Sequence, residues 1–167
     1  MSLLLNGAKT VTIAGTEMSC IEIYTGESYT LPFTFTDSGG NAINCNSWTL
    51  STTAKFYTAD NITYSNIVTD EINIGNLTLL APQPTASAYS ALTAAFTTPA
   101  TGIGYIYIPS TLTGGTGSPN PTPIITLANS AANSTLVVIT LGVSRTDALS
   151  GLVDFNREPI GMIVRFQ

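Results

Sequence analysis

The sequence predicts an all-β protein, an antiparallel β-sandwich of immunoglobulin-like or jelly-roll-like form with one short helix. Three observations predict this fold. Glu, Lys, Arg and Gln, which favour helices, are scarce, and charged residues make up only 9% of the 167 residues. Short runs of alternating apolar and polar residues, rich in Thr, Ile, Val and Tyr, recur along the chain. Turn signals containing Gly, Pro, Asn and Asp separate these runs.

Residues 29–36 form the clearest strand pattern in the chain. Four large apolar or aromatic residues alternate with Thr and Pro, which predicts one face in the core and a polar face outside. Pro32 lies on the outward phase and cannot donate a hydrogen bond, so this strand is expected at an edge of its sheet or beginning beside one. The Asp-Ser-Gly-Gly-Asn sequence at residues 37–41 predicts a turn.

The remaining elements follow from the same alternation. Residues 48–56 repeat a core-facing pattern, and the Ala-rich window at residues 85–96 predicts the one helix. A Gly/Pro-rich loop is expected at residues 113–123, and a polar connection at residues 144–159. Further strands are predicted at residues 20–24, 62–69, 72–80, 105–108, 124–127, 136–143 and 160–166.

No internal repeat or composition shift divides the chain. We expect residues 1–18 to form an N-terminal arm or edge strand, and residues 19–167 to form a single β-sandwich domain. Cys20 and Cys45 are too few for a disulfide framework, so we interpret them as free, buried thiols. A single bridge between them is the alternative.

Composition excludes several classes of function. Five Lys and Arg residues against ten Asp and Glu residues give a net charge of −5, which leaves no basic surface for nucleic acid. The chain contains no His, so Ser-His-Asp catalysis, Cys-His catalysis and most catalytic zinc sites are ruled out. No apolar run approaches the roughly 20 residues of a membrane span, and no signal peptide is expected. Composition therefore predicts a protein that is not an enzyme built on His, and the sequence indicates no cofactor, no metal and no binding to nucleic acid or membrane.

One segment carries a resemblance to a known family. Residues 26–43 read Gly-Glu-Ser, an alternating strand, Asp-Ser-Gly-Gly-Asn and then Ala-Ile. This segment resembles the N-terminal β-sandwich of the upper-baseplate proteins of tailed bacteriophages. Residues 91–108 are similar to the short helix, glycine loop and Tyr-containing strand of the same family, and the whole chain resembles small structural proteins of phages that infect marine cyanobacteria. After Thr113, a longer Gly/Pro loop departs from the family pattern.

The resemblance implies a non-enzymatic structural component of a tailed phage virion, assembled in the cytoplasm of the bacterial host and acting through subunit contacts. Its partners would be other virion proteins, either tail and baseplate proteins or the major capsid protein, together with copies of itself in a homo-oligomer. We expect a tail or baseplate connector or attachment module, because the motif match is to baseplate modules. A decoration protein (cement or knob) on the capsid exterior is the alternative.

Three arginines are the candidate contacts between subunits. Arg145, Arg157 and Arg165 belong to the one cluster of charged residues in a charge-poor chain, and Arg is enriched at protein interfaces. The alternative is ion pairing on the surface of one subunit, worth about 0–1 kcal/mol per exposed pair.

A receptor- or glycan-binding module is a further alternative for the function. The loop at residues 113–123 or a set of strand tyrosines would supply the binding surface, while packing within the sandwich is the competing interpretation of the tyrosines. These tyrosines are Tyr24, Tyr57, Tyr64, Tyr89, Tyr105 and Tyr107.

Overall fold

A computed structural model of the chain describes residues 1–13, 16–24, 26–59, 62–66, 71–74, 77–79, 90–112, 134–146 and 153–165. In these residues the chain forms two β-sheets that pack together as an all-β sandwich. The strands are β1 (Ser2–Leu5), β2 (Lys9–Ile13), β3 (Thr16–Tyr24), β4 (Tyr29–Thr36), β5 (Thr49–Ala59), β6 (Ile62–Asn66), β7 (Glu71–Ile74), β8 (Leu77–Leu79), β9 (Thr93–Thr98), β10 (Ile103–Ile108), β11 (Ser134–Thr146) and β12 (Val153–Arg165).

The smaller sheet has four strands in the order β1-β4-β10-β9, and all its pairings are antiparallel. Its alternation is the one expected for β4, because Leu31, Phe33 and Phe35 are fully buried while Thr30 and Pro32 are exposed. β4 lies between β1 and β10, and β1 is the edge strand. Of the two positions expected for the strand that contains Pro32, an edge or a place beside an edge, the structure shows the second.

Pro32 is tolerated inside this sheet because of where β1 ends. Asn6 donates its backbone N–H to the Pro32 carbonyl oxygen at 3.1 Å, so the backbone of Pro32 faces the β1 side. β1 ends at Leu5. The missing N–H of the proline therefore faces Asn6, the first residue after β1, so the proline costs only a bond at the end of this pairing.

The larger sheet has the order β6-β7-β2-β3-β12-β11-β5-β8. Most of its pairings are antiparallel, but β3 with β12 and β2 with β7 are parallel. Its longest unit is the β11–β12 hairpin, which runs from the pair Ser134–Arg165 to the pair Thr146–Val153. The expected polar connection at residues 144–159 is therefore mostly strand, because backbone pairing continues past the end of the apolar run.

A second hairpin joins the two ends of the larger sheet. Ala59 of β5 pairs with Leu77 of β8, and Ile62 of β6 pairs with Ile74 of β7. The second pair lies three residues further along both strands, so the β5–β8 and β6–β7 pairings have the same antiparallel register. β8 lies on β5 at one end of the sheet, whereas β7 lies on β2 near the other end. Ile74 and Leu77 are three residues apart, so their Cα atoms lie within roughly 11 Å. The sheet must therefore curve until its ends meet, and the hairpin expected between residues 62–69 and 72–80 is confirmed.

The main core lies between the two sheets. Phe33 contacts Phe35 and Phe96 edge-on, with ring centroids 5.3 and 5.9 Å apart. Phe56 and Ile139 of the larger sheet are buried in the same cluster. Burial of each such side chain contributes about 1.5–3 kcal/mol, so this aromatic and aliphatic layer holds the two sheets together.

The predicted helix is the main error in the sequence interpretation. Residues 93–96 belong to β9, which pairs with β10 and places Ala94 and Phe96 against the core. Tertiary pairing here overrides the helix propensity of an Ala-rich window. The helical segment that the structure does describe nearby is a 3₁₀ turn, Pro99–Thr101. Residues 85–89, the loop at 113–123 and the strand at 124–127 lie outside the described residues.

The first eighteen residues contain β1, β2 and the start of β3, so they contribute to both sheets. The expected division into residues 1–18 and 19–167 stays a prediction. Within the described part of the chain, no helix has the length and apolar character needed to cross a membrane.

Candidate assembly surface

The four-stranded sheet carries no charge. None of the chain's five basic and ten acidic residues falls in β1, β4, β9 or β10. We call these four strands the charge-free sheet. In a soluble protein the outward face of an antiparallel sheet normally carries polar and charged side chains, so this sheet has an unusual outer face.

Apolar side chains are exposed on that outer face. Leu4 is 53% exposed, Ile103 is 41% exposed and Tyr107 is 37% exposed. Leu4 and Ile103 both pair with Thr34, one from each side, so these three residues form one row across the sheet. In the next row Pro32 pairs with Tyr105. The result is a continuous apolar and hydroxyl-bearing surface, the kind that marks protein contact sites.

The two edges of the charge-free sheet are also uncharged. β1 and β9 are its edge strands, and neither contains the Lys or Pro residues with which proteins usually block edge-to-edge pairing. Among the described residues, no further strand pairs with the outer side of either one. Both the face and the edges are therefore suited to contact with another protein chain.

The turn after β4 is fixed by Asp37. Its Oδ1 atom accepts hydrogen bonds from the backbone N–H groups of Gly39 (2.8 Å) and Asn41 (2.9 Å). The Asn41 side-chain amide donates to both carboxylate oxygens, at 3.2 and 3.0 Å. These hydrogen bonds lower the pKa of Asp37 below its ordinary value of 3.8, and those from the Asn41 side chain contribute most. The predicted turn at residues 37–41 is confirmed.

The segment after this turn is tied back to the charge-free sheet. Ile43 donates its N–H to the Phe35 carbonyl oxygen at 3.2 Å, and Cys45 donates to the Pro99 carbonyl oxygen at 2.7 Å. Phe35 in turn donates to the Gly102 carbonyl oxygen at 3.0 Å. The segment that carries the family resemblance is thus one unit with β9, β10 and the 3₁₀ turn between them.

The three candidate arginines do not come together. Arg145 lies on β11 in the same phase as buried Val143, and its guanidinium carbon is 5.5 Å from the centroid of the Trp48 ring. Arg157 pairs with Gly142, which puts it in the opposite phase of the hairpin, where its side chain is exposed. Arg165 is the last residue of β12, eight positions and roughly 26 Å along the strand from Arg157. Their role as subunit contacts stays a prediction.

The tyrosines are divided between the two sheets. Tyr105 and Tyr107 lie on the outer face of the charge-free sheet, whereas Tyr24 and Tyr57 belong to β3 and β5 of the larger sheet. Tyr57 packs against a small second cluster on the far face of that sheet. Among the described residues, these four do not form one sugar-binding surface.

Both cysteines are free and buried, which confirms the interpretation from the sequence. Burial raises the pKa of the Cys20 thiol to about 12, and the nearby Glu22 carboxylate adds to the effect. Burial likewise raises the pKa of the Cys45 thiol to about 11. Since the thiolate is the nucleophile and the metal ligand, the environment of both groups suppresses that chemistry. In the described part of the chain, no three Cys, Asp or Glu side chains are grouped as a metal site would need.

Comparison with models of known protein families gave no match, and comparison with curated protein sequences found no significant similarity.

The sequence interpretation missed the residues that form the exposed face. Leu4 and Ile103 were not singled out, because the residues facing them become neighbours only when β1, β4 and β10 pair. One signal was available: residues 29–36 and 103–108 contain no charge in their outward phase. A strand that alternates core residues with Thr, Pro and Tyr gives its sheet an outer face without charge.

Proposed function

We propose that this protein is a non-enzymatic structural component of a tailed phage virion, acting by assembly through the charge-free sheet. The observation that carries the proposal is the exposed, uncharged face around Leu4, Thr34 and Ile103. The segment at residues 26–43, which resembles upper-baseplate modules, supplies β4 at the centre of the same sheet. The proposed placement is the tail or baseplate.

The distribution of charge favours a second copy of this chain as the occupant of that face. The net charge of −5 is carried entirely by residues outside the charge-free sheet. Two copies that meet through other surfaces bring together the parts of the molecule that carry this net negative charge, whereas two copies that meet through this sheet do not. The face therefore suits contacts within a homo-oligomer.

The size of the face sets the expected strength of one contact. Four strands span roughly 15 Å across and a six-residue strand is roughly 20 Å long, giving roughly 300 Å² per subunit. Stable pairs bury about 800 Å² per partner. A single contact of this kind is weak, so it suits a particle in which each subunit has several neighbours and the contacts act together.

Self-association of the purified protein tests the proposal. Sedimentation equilibrium over a wide concentration range should show reversible association of the natural chain. Ile103→Lys places a charge in the exposed row formed with Leu4 and Thr34, and we expect it to weaken association by at least about 10-fold, equivalent to about 1.4 kcal/mol. Leu4→Lys, in the same row, should act in the same direction.

Tyr24→Lys is the matched control, because Tyr24 is 45% exposed but lies in the larger sheet. It makes the same kind of change away from the proposed contact and should leave association unaltered. A natural chain that stays monomeric at every concentration, or equal association of the Ile103→Lys variant, would contradict the proposal.

A further inference from the structure

A groove on the outer face of the larger sheet gathers basic and hydroxyl side chains. It has a volume of about 280 Å³ and is lined by Ser51, Thr53, Lys55, Thr140, Gly142 and Arg157. On β5 the lining residues Ser51, Thr53 and Lys55 alternate with residues such as Ala54 and Phe56, which face the main core. The groove therefore lies on the side of the larger sheet that points away from the charge-free sheet.

The strand register centres this groove on Thr140. Gly142 pairs with Ser51 on one side and with Arg157 on the other, and Thr140 pairs with Thr53. Lys55 pairs with Val138. Arg157 and Lys55 are thus diagonal neighbours of Thr140 on opposite sides, each about 7–8 Å away between backbones. Both side chains are long enough to reach a group placed above the Thr140 hydroxyl.

The lining residues that the structure describes carry positive charge. Two of the chain's five basic residues are among them, and none of these described lining residues is acidic. Glu158, the residue after Arg157, pairs with buried Leu141 and so belongs to the other phase of the strand. Its Oε1 atom accepts a hydrogen bond from the Asn156 amide at 2.8 Å. In a protein with a net charge of −5, this concentration of positive charge favours an anion.

The lining also sets the size and polarity of the ligand. Gly142, between Ser51 and Arg157, adds no side chain to the lining. The hydroxyl groups of Ser51, Thr53 and Thr140 both donate and accept hydrogen bonds. A volume of about 280 Å³ is near the lower end for small-molecule sites. It is large enough for a small polar molecule and too small for a large apolar one.

We propose that this groove binds a small hydroxylated anion, a sugar phosphate or sugar acid. Lys55 and Arg157 hold its phosphate or carboxylate group above Thr140, and the hydroxyl side chains bond its hydroxyl groups. Arg supplies a planar pair of donors to the oxyanion, and Lys supplies a compact positive charge. The site does not depend on the charge-free sheet.

The test is an NMR titration of the uniformly ¹⁵N-labelled full chain with glucose 6-phosphate, glucuronate, inorganic phosphate and glucose. We expect saturable shifts with the two sugar anions, confined to amides of residues 51–55, 140–142 and 157. Inorganic phosphate should bind more weakly, and neutral glucose should give no saturable shift. Comparison of the two sugar anions distinguishes a phosphate ligand from a carboxylate ligand.

Variants identify the groups responsible. The double variant Lys55→Gln/Arg157→Gln should weaken binding of the sugar anions by at least about 10-fold, since both charge-assisted contacts are lost. Lys9→Gln also removes a positive charge from the larger sheet, but Lys9 lines a different cavity, so this variant should bind normally.

Three outcomes would overturn the proposal: no saturable shift with either sugar anion, shifts that map away from the groove, or equal binding of glucose. Undiminished binding by the double variant would overturn it as well. The mapping in the natural chain does not depend on how stable the variants are.

Discussion

The guanidinium of Arg145 lies over the ring of Trp48, with its central carbon 5.5 Å from the ring centroid. The Trp48 ring in turn packs on Phe35 with centroids 5.8 Å apart. Arg145 thus covers the end of the main core at the start of β5. A cation over an aromatic face gives this arginine a role within the subunit, in addition to any contact that it makes with a neighbour.

Arg145→Gln should lower the free energy of unfolding by about 0.5–1 kcal/mol, because the cation–π contact is lost at an exposed site. Trp48 is the only tryptophan in the chain, so its fluorescence reports the change directly. We expect altered emission of the folded protein together with an earlier midpoint in urea.

Arg157→Gln is the matched control for this measurement, since Arg157 lies in the opposite phase of the same hairpin. It should leave the emission of Trp48 as it is in the natural chain. Identical emission and stability of the Arg145→Gln variant would show that the contact with Trp48 does not contribute.

Phe33→Ser should unfold the domain or leave it barely folded. Phe33 is fully buried and contacts Phe35 and Phe96. Truncating a buried Phe costs about 3–5 kcal/mol, and the buried hydroxyl adds to that loss. Small proteins have only about 5–15 kcal/mol of stability in total. Thermal unfolding followed by circular dichroism is the measurement.

Thr34→Ser changes the neighbouring residue, which lies in the outward phase of β4, and should shift stability by no more than about 0.5 kcal/mol. A Phe33→Ser variant that melts at the same temperature as the natural chain would mean that the strand phase is wrong.

Gly102→Ala should be more destabilising than Gly40→Ala. Both glycines have positive φ, at 67° and 80°, so alanine costs about 1–2 kcal/mol at either position. A Cβ at Gly102 would lie 2.9 Å from the Phe35 carbonyl oxygen and 3.0 Å from that of Ile43, whereas a Cβ at Gly40 meets nothing within 4 Å.

We expect the Gly102→Ala variant to lose at least about 1 kcal/mol more than the Gly40→Ala variant, because backbone atoms must move to relieve the contact. Urea unfolding of the two variants side by side measures the difference. Equal losses would show that the link between β4 and the 3₁₀ turn is looser than these distances imply.

Asp37 should make the free energy of unfolding depend on pH. Its pKa is lowered in the folded protein, chiefly by the Asn41 side chain. Its contribution is therefore present above the ordinary value of 3.8 and is lost as the pH falls through the lower, folded pKa. An NMR titration of the Asp37 carboxyl should give a midpoint below 3.8, and Asn41→Ala should move that midpoint upward. A midpoint that does not respond to Asn41→Ala would contradict this explanation.

The sequence was most informative where a local pattern decides the structure. The alternation in residues 29–36 predicted the buried face of β4, and the glycines at positions 39 and 40 predicted the turn. Residues 93–96 were misassigned because Ala favours a helix, while their strand structure depends on pairing with β10.

Long-range relationships left no signal in the local pattern. The parallel pairing of β3 with β12 joins residues 19–24 to residues 160–165. The local sequence of either segment does not indicate which strand it pairs with. The groove around Thr140 escaped notice for the same reason, because Lys55 and Arg157 come from different strands. The charge-free sheet was visible only in part, since its four strands are distant in sequence.

The central claim, that this chain is a virion subunit assembled through its charge-free sheet, is tested most directly by a density map of purified particles with antibody labelling of the protein. We expect the protein in the tail or baseplate, with Leu4, Ile103 and Tyr107 covered by a neighbouring copy. Density on the capsid exterior would replace the tail placement with a decoration role. Absence of the protein from the particle, or a charge-free sheet that faces solvent within it, would contradict the claim.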